Sequence, residues 1–188
     1  MVLLKSKSKR NRSVTSLFFR AEYQSHLFFG IDSNNRLFSQ KGLFHFDARF
    51  RPVPLATTFV GIKSEKQSQQ MDDMNELCYD KAVDFVRKGH QVMVFVHARN
   101  ATVKTAMALL ETARNCGDAP IFEPDTEVAL KAAQTAVGKS RNKQLAELFN
   151  AGFGIHHAGM LRSDRNLVEK LFSQGLIKVL CCTATLAW

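Results

Sequence analysis

Val92-Met93-Val94-Phe95-Val96-His97-Ala98-Arg99-Asn100-Ala101-Thr102 decides the fold of this chain. Five apolar residues, β-branched at alternate positions, run into a polar loop, and a helical pattern with Val103, Ala106, Met107 and Leu110 on one face continues to about Arg114. A short, wholly apolar run of this kind reads as a strand buried on both faces. The same grammar recurs twice downstream. Gly154 to His157 leads into His157-Ala158-Gly159-Met160-Leu161-Arg162-Ser163, and Ile177 to Cys182 leads into Thr183-Ala184-Thr185-Leu186-Ala187-Trp188. Strands that alternate with helices predict an α/β fold with a mostly parallel sheet covered on both faces. Loops at the carboxyl ends of such strands share one edge of the sheet, where ligands bind.

Working outward, Met74, Leu77, Cys78, Lys81, Ala82, Phe85 and Val86 follow helical spacing, and Gly89 stands where such a helix stops. Ala56 to Ile62 reads as a strand, and Phe50 to Leu55 is held extended by its prolines. Glu127 to Ala136 and Asn142 to Phe149 read as helices. A further helix, Asp164 to Phe172, takes Ser163 as its N-cap and ends at Gly175. Residues 1–41 differ in character. Lys5 to Arg12 is a basic, serine-rich run that reads as a disordered, solvated tail, and the aromatic clusters flanking Asp32-Ser33-Asn34-Asn35 suggest a loose hairpin. The chain thus divides into a basic segment, 1–41, and a globular part, 42–188.

With 188 residues and 45% hydrophobic content, the chain can bury one real core. The formal charge of +9 is unevenly placed: residues 1–41 hold eight Lys or Arg against two acids, and the globular part is only mildly basic. Any nucleic-acid reading must therefore rest on placed residues. The longest apolar runs are strand-length, which excludes a membrane-spanning helix, and Met1 to Arg10 has no apolar core of a secretory leader. Cys78, Cys116, Cys181 and Cys182 form no C-x-x-C pair and read as small buried residues of a reducing compartment.

Val137-Gly138-Lys139-Ser140 imitates the end of a phosphate-binding loop, but that pattern needs glycine at position 133, which is Ala133, inside a helical stretch. His156 and His157 point to opposite faces of a strand and have no acid or thiol at ligand spacing, so a metal centre is not expected. No nucleophile–base pair is readable either. What remains is a set of groups suited to phosphates: Arg99 with the potential caps Asn100 and Thr102, His157 beside Gly159, and Thr183 and Thr185.

In their order and spacing, Phe44 to Leu55, Val92 to Arg99, Gly154 to Leu161 and Val179 to Trp188 resemble the second RecA-like domain of the Ski-two-like branch of superfamily-two helicases. The resemblance covers roughly Gly42 to Trp188. It implies that Val94 to Thr102 is motif four, His156 to Met160 motif four-a, and Thr183 to Ala187 part of motif five. Arg99, Asn100, Thr102, His157, Gly159, Thr183 and Thr185 would then line the path of a single-stranded DNA or RNA backbone, and no residue here would be catalytic. It also implies a nuclear or cytoplasmic parent enzyme that uses ATP and Mg²⁺. In that parent the Walker lysine and Asp-Glu-x-His box would lie in a first RecA-like domain, and the arginine finger in a later motif. The domain in hand is then incomplete at its carboxyl end. A second reading stays open: a non-catalytic piece of the same parent that docks onto protein partners.

Overall fold

The computed structural model describes residues 3–7, 14–19, 55–124 and 127–186. The order of elements is β1 (Leu3–Lys7), β2 (Val14–Phe19), β3 (Leu55–Val60), α1 (Gln67–Arg87), β4 (Gln91–Phe95), α2 (Arg99–Asn115), α3 (Ala119–Phe122), α4 (Glu127–Gly138), α5 (Lys143–Asn150), β5 (Phe153–His156), α6 (Arg162–Ser173) and β6 (Val179–Cys182), followed by a 3-10 turn at Ala184–Leu186. Six strands form one sheet in the order β3-β2-β1-β4-β6-β5. β6 is parallel to both β4 and β5, and β2 is parallel to β3, whereas β1 runs antiparallel to both of its neighbours. The expected mostly parallel α/β architecture of a RecA-like fragment is therefore present, with β1 the one reversed strand among the described residues.

Of the basic run Lys5 to Arg12, Lys5, Ser6 and Lys7 lie in β1, paired with Met93, Val92 and Gln91 of β4. The backbone edge of β4 supplies this order, and nothing in the polar sequence announces it. The remainder of that run, the hairpin expected around Asp32 to Asn35 and the stretch Phe50 to Pro54 lie outside the described residues.

Every residue of β5 and β6 is buried, as a strand covered on both faces requires. Alternation assigns the faces. The Phe153 ring packs on Phe122 of α3, centroids 4.9 Å apart, whereas His156 bonds Glu169 on α6. A Cβ added to Gly154 would meet Ile177 and Leu180 side chains at 2.9 and 3.2 Å, so glycine lets these side chains pack closely over β5. Gly152 is stricter. Its φ is +78°, and an added Cβ would stand 1.8 Å from the Phe122 carbonyl oxygen.

α1 buries Cys78, Tyr79, Ala82, Val83 and Val86, close to its expected face. Tyr79 donates its hydroxyl hydrogen to Asp118 Oδ2 at 2.8 Å, and Arg87 pairs with Oδ1 at 2.7 Å, which pins α1 to the turn between α2 and α3. α2 turns inward with Thr102, Thr105, Ala106, Leu109, Leu110 and Ala113. Ala106 and Leu110 match the expected face; Val103 and Met107 are only half-buried, displaced by two threonines. Thr102 faces the core because its own helix satisfies its hydroxyl, which donates to the Arg99 carbonyl at 2.6 Å. At α5, Asn142, expected as the first helical residue, is instead the N-cap, its Oδ1 accepting from the Leu145 amide at 3.3 Å.

Candidate nucleic-acid interface

Backbone bonds gather the ends of β4, β5 and β6. The Val96 amide donates to the Cys182 carbonyl at 2.8 Å, and the Thr183 amide to the His156 carbonyl at 3.1 Å. The three loops that follow therefore start side by side on one rim.

Arg99 is the first residue of α2 and is exposed. The helix begins earlier than Asn100 or Thr102 would allow as caps. Ala98 is the N-cap, extended at φ −123° and ψ 146°, and no side chain caps the first turn. Asn100 is exposed within that turn, but Thr102 is wholly buried, which removes it from any surface that meets a ligand. α6 repeats the arrangement. Its N-cap is Leu161 rather than Ser163, again without a side-chain cap, because the Arg165 amide already bonds the Leu161 carbonyl at 3.0 Å. Ser163 is an exposed residue of the first turn, and the acidic first-turn residue Asp164 is buried. Two helices thus open from the rim with first-turn amides that no side chain covers, a setting that favours anions.

The two histidines diverge. His156 is nearly enclosed and donates from Nε2 to Glu169 Oε1 at 2.8 Å. His157 is half-exposed and accepts the Gly159 amide hydrogen on Nδ1 at 3.1 Å. A Cβ placed on Gly159 would lie 3.1 Å from His157 Nδ1 and 3.4 Å from Arg99 Cδ. Arg99 and His157, 58 positions apart in the chain, are thereby neighbours. Burial, the Arg99 guanidinium and then His156 all hold the His157 imidazole below its ordinary titration range. Thr183 is largely buried and shares a 2.9 Å hydroxyl bond with exposed Thr185.

Of the predicted set, the rim collects Arg99, Asn100, His157, Gly159, Thr183 and Thr185. Sequence reading passes over exposed Arg162, the first residue of α6, although a cation directly after the His157–Leu161 loop is a usable signal. Glu169 as the partner of His156 has no local signal, since the two meet only when α6 packs on the sheet. Cys78, Cys181 and Cys182 are buried as expected, whereas Cys116, at the end of α2, is exposed. Burial pushes Cys78 and Cys182 up to about 12, and Cys181 well above its ordinary value with Cys78 beside it.

The Val137–Ser140 stretch is not a phosphate-binding loop. Gly138 closes α4, and the Ser140 amide is engaged by the Val137 carbonyl at 2.9 Å, so no glycine-rich cradle follows a strand there. Among the described residues, no three His, Cys, Asp or Glu side chains are grouped to hold a metal ion, and no helix is long and apolar enough to cross a membrane.

No family model matches the chain. Individual proteins do. Activating signal cointegrator 1 complex subunit 3 of Homo sapiens is 63% identical over 147 residues, which is 78% of this chain and 7% of that protein. The DExH-box ATP-dependent RNA helicase DExH14 of Arabidopsis thaliana is 51% identical over 153 residues, 81% of this chain and 7% of its own length. The RQC trigger complex helicase SLH1 of Saccharomyces cerevisiae is 47% identical over 150 residues, 79% of this chain and 8% of its own length. The chain spans less than a tenth of these relatives. Over most of its residues, then, it belongs to the Ski-two-like helicases that include the cointegrator-complex subunit.

Proposed function

We propose that this chain is the strand-gripping part of an ATP-dependent helicase: a portion of its second RecA-like domain, carrying motifs four and four-a and the start of motif five. The observation that carries this reading is the contact of Arg99 with the His157–Gly159 loop on the rim where β6 also ends. A phosphate there meets a guanidinium, first-turn amides of α2 and α6, and the Thr185 hydroxyl, groups that position a backbone without reading its bases. In the parent enzyme the first RecA-like domain would bring the ATP and Mg²⁺ machinery. Further subunits of a cointegrator-type complex would be its partners in the nucleus or cytoplasm.

The test is a titration of the 188-residue chain with fluorescent single-stranded RNA and DNA of mixed sequence. Weak, salt-sensitive, sequence-blind binding that drops on Arg99→Ala is expected. Equal binding by that variant, lost instead on replacing Lys9, Arg10 and Arg12 together by alanine, would move the contact to the basic segment and overturn the reading. The isolated chain is also expected to show no strand-stimulated ATP hydrolysis.

A further inference from the structure

His157 does two things at once: its Nδ1 accepts the Gly159 amide hydrogen, and its ring stands close to Arg99, since a Cβ on Gly159 would lie within 3.4 Å of both. A neutral imidazole has one N–H, so an accepting Nδ1 places the hydrogen on Nε2. We propose that His157 is a positioning residue whose neutral, Nε2-protonated ring shapes the His157–Leu161 turn against Arg99, so that the grip on a strand loosens when this ring takes a second proton.

The proton balance is simple. The incoming proton takes the Nδ1 lone pair, Nδ1–H then faces the Gly159 N–H, and two donors cannot share the bond. The turn loses the contact that folds it back. The same event sets an imidazolium in a partly buried place near the Arg99 guanidinium, with His156, whose Nε2 is already engaged with Glu169 on α6, a weaker further influence. Both effects favour the neutral ring. Its titration is depressed from the ordinary 6.5, so the unfolded chain binds this proton more readily than the folded one. The contribution to stability is therefore present above about 6.5 and lost as pH falls through the depressed folded value.

The direction separates this inference from general electrostatics. Acidification makes a protein more positive and ordinarily tightens its hold on nucleic acid. Here the rim is expected to weaken instead. This consequence rests on the strand-gripping reading above; the tautomer does not.

The experiment uses the 188-residue chain and two variants, His157→Asn and His157→Ala. Asparagine offers an oxygen near the place of Nδ1 and does not titrate; alanine offers nothing. Imidazole ¹⁵N spectra at pH 7.5 should show His157 protonated on Nε2, with the Gly159 amide shift following its titration. Mixed-sequence single strands should bind several-fold more weakly below the His157 titration read from those spectra than at pH 7.5 in the wild type. His157→Asn should lack that loss, and His157→Ala should be weak at both values. A His157 protonated on Nδ1, or a Gly159 amide indifferent to its titration, overturns the inference whatever the binding result. So does the same pH response in wild type and His157→Asn. A correct tautomer with no strand binding in any variant would overturn the grip, and with it the reading of the rim, while leaving the Gly159 contact established.

Discussion

The two ends of the β4-β6-β5 sheet are made differently. At the amino ends backbone groups are consumed internally: Gln91 Nε2 donates to the Phe172 and Ile177 carbonyls at 2.6 and 2.7 Å, and the Gly152 carbonyl accepts from the Lys178 amide at 2.7 Å. Gly152 itself admits no side chain. At the carboxyl ends the strands are tied together only as far as Val96 and Thr183, and beyond them Arg99, Asn100 and Thr185 face outward. One end uses its polar groups to hold the sheet, and the other keeps them for something outside. Substitutions at the foot should cost stability, and those at the rim should cost binding.

The largest expected effect is at the foot. Gly152→Ala adds a left-handed conformation unfavourable for alanine, roughly 1–2 kcal/mol, and an atom inside the Phe122 carbonyl. A total loss of about 3 kcal/mol or more is expected in urea unfolding. An unchanged midpoint would break the contrast outright. Gln91→Leu comes next, leaving two carbonyls without their shared donor in a buried place. About 2 kcal/mol of destabilisation is expected by the same measurement, with strand affinity per folded molecule unaltered.

Arg99→Ala reverses the pattern. Its side chain is exposed, so thermal stability should move by less than about 0.5 kcal/mol. Strand affinity should fall by about 1.5 kcal/mol or more, with the salt slope reduced by about one unit. Loss of stability without loss of affinity would place Arg99 with the foot. The smallest pair sharpens the boundary: Thr102→Val should cost about 1 kcal/mol of stability and no affinity, and Thr185→Val the converse, at under about 1 kcal/mol. Matching effects from the two threonines, in denaturation and titration alike, would mean that burial does not sort these residues.

Much of this division is legible in the amino-acid order. Continuous apolar runs at Val92 to Val96 and Val179 to Cys182, helical spacing through Cys78 to Val86, and Gly89 and Gly175 at helix ends are local signals, since each depends on a few neighbouring dihedrals. Helix starts are less legible. Asn100, Thr102 and Ser163 are good caps by residue type, yet Ala98 and Leu161 hold those places, because the strand ends preceding them decide where the chain turns. Thr102 counts as polar in any pattern and is nonetheless core, since the Arg99 carbonyl satisfies it.

Sequence alone determined the α/β class, the strand–loop–helix units of β4 and β5, the third strand at β6 and the residue types their loops carry. These follow from periodicity and from motifs short enough to be read locally. Only the tertiary structure decided that Arg99 and His157 are neighbours, that His156 turns away to Glu169, that Thr102 is lost to the core, and that Leu3–Lys7 runs against β4. The reason is physical. Such contacts join residues far apart in the chain, and their free energy exists only once the sheet has brought them together.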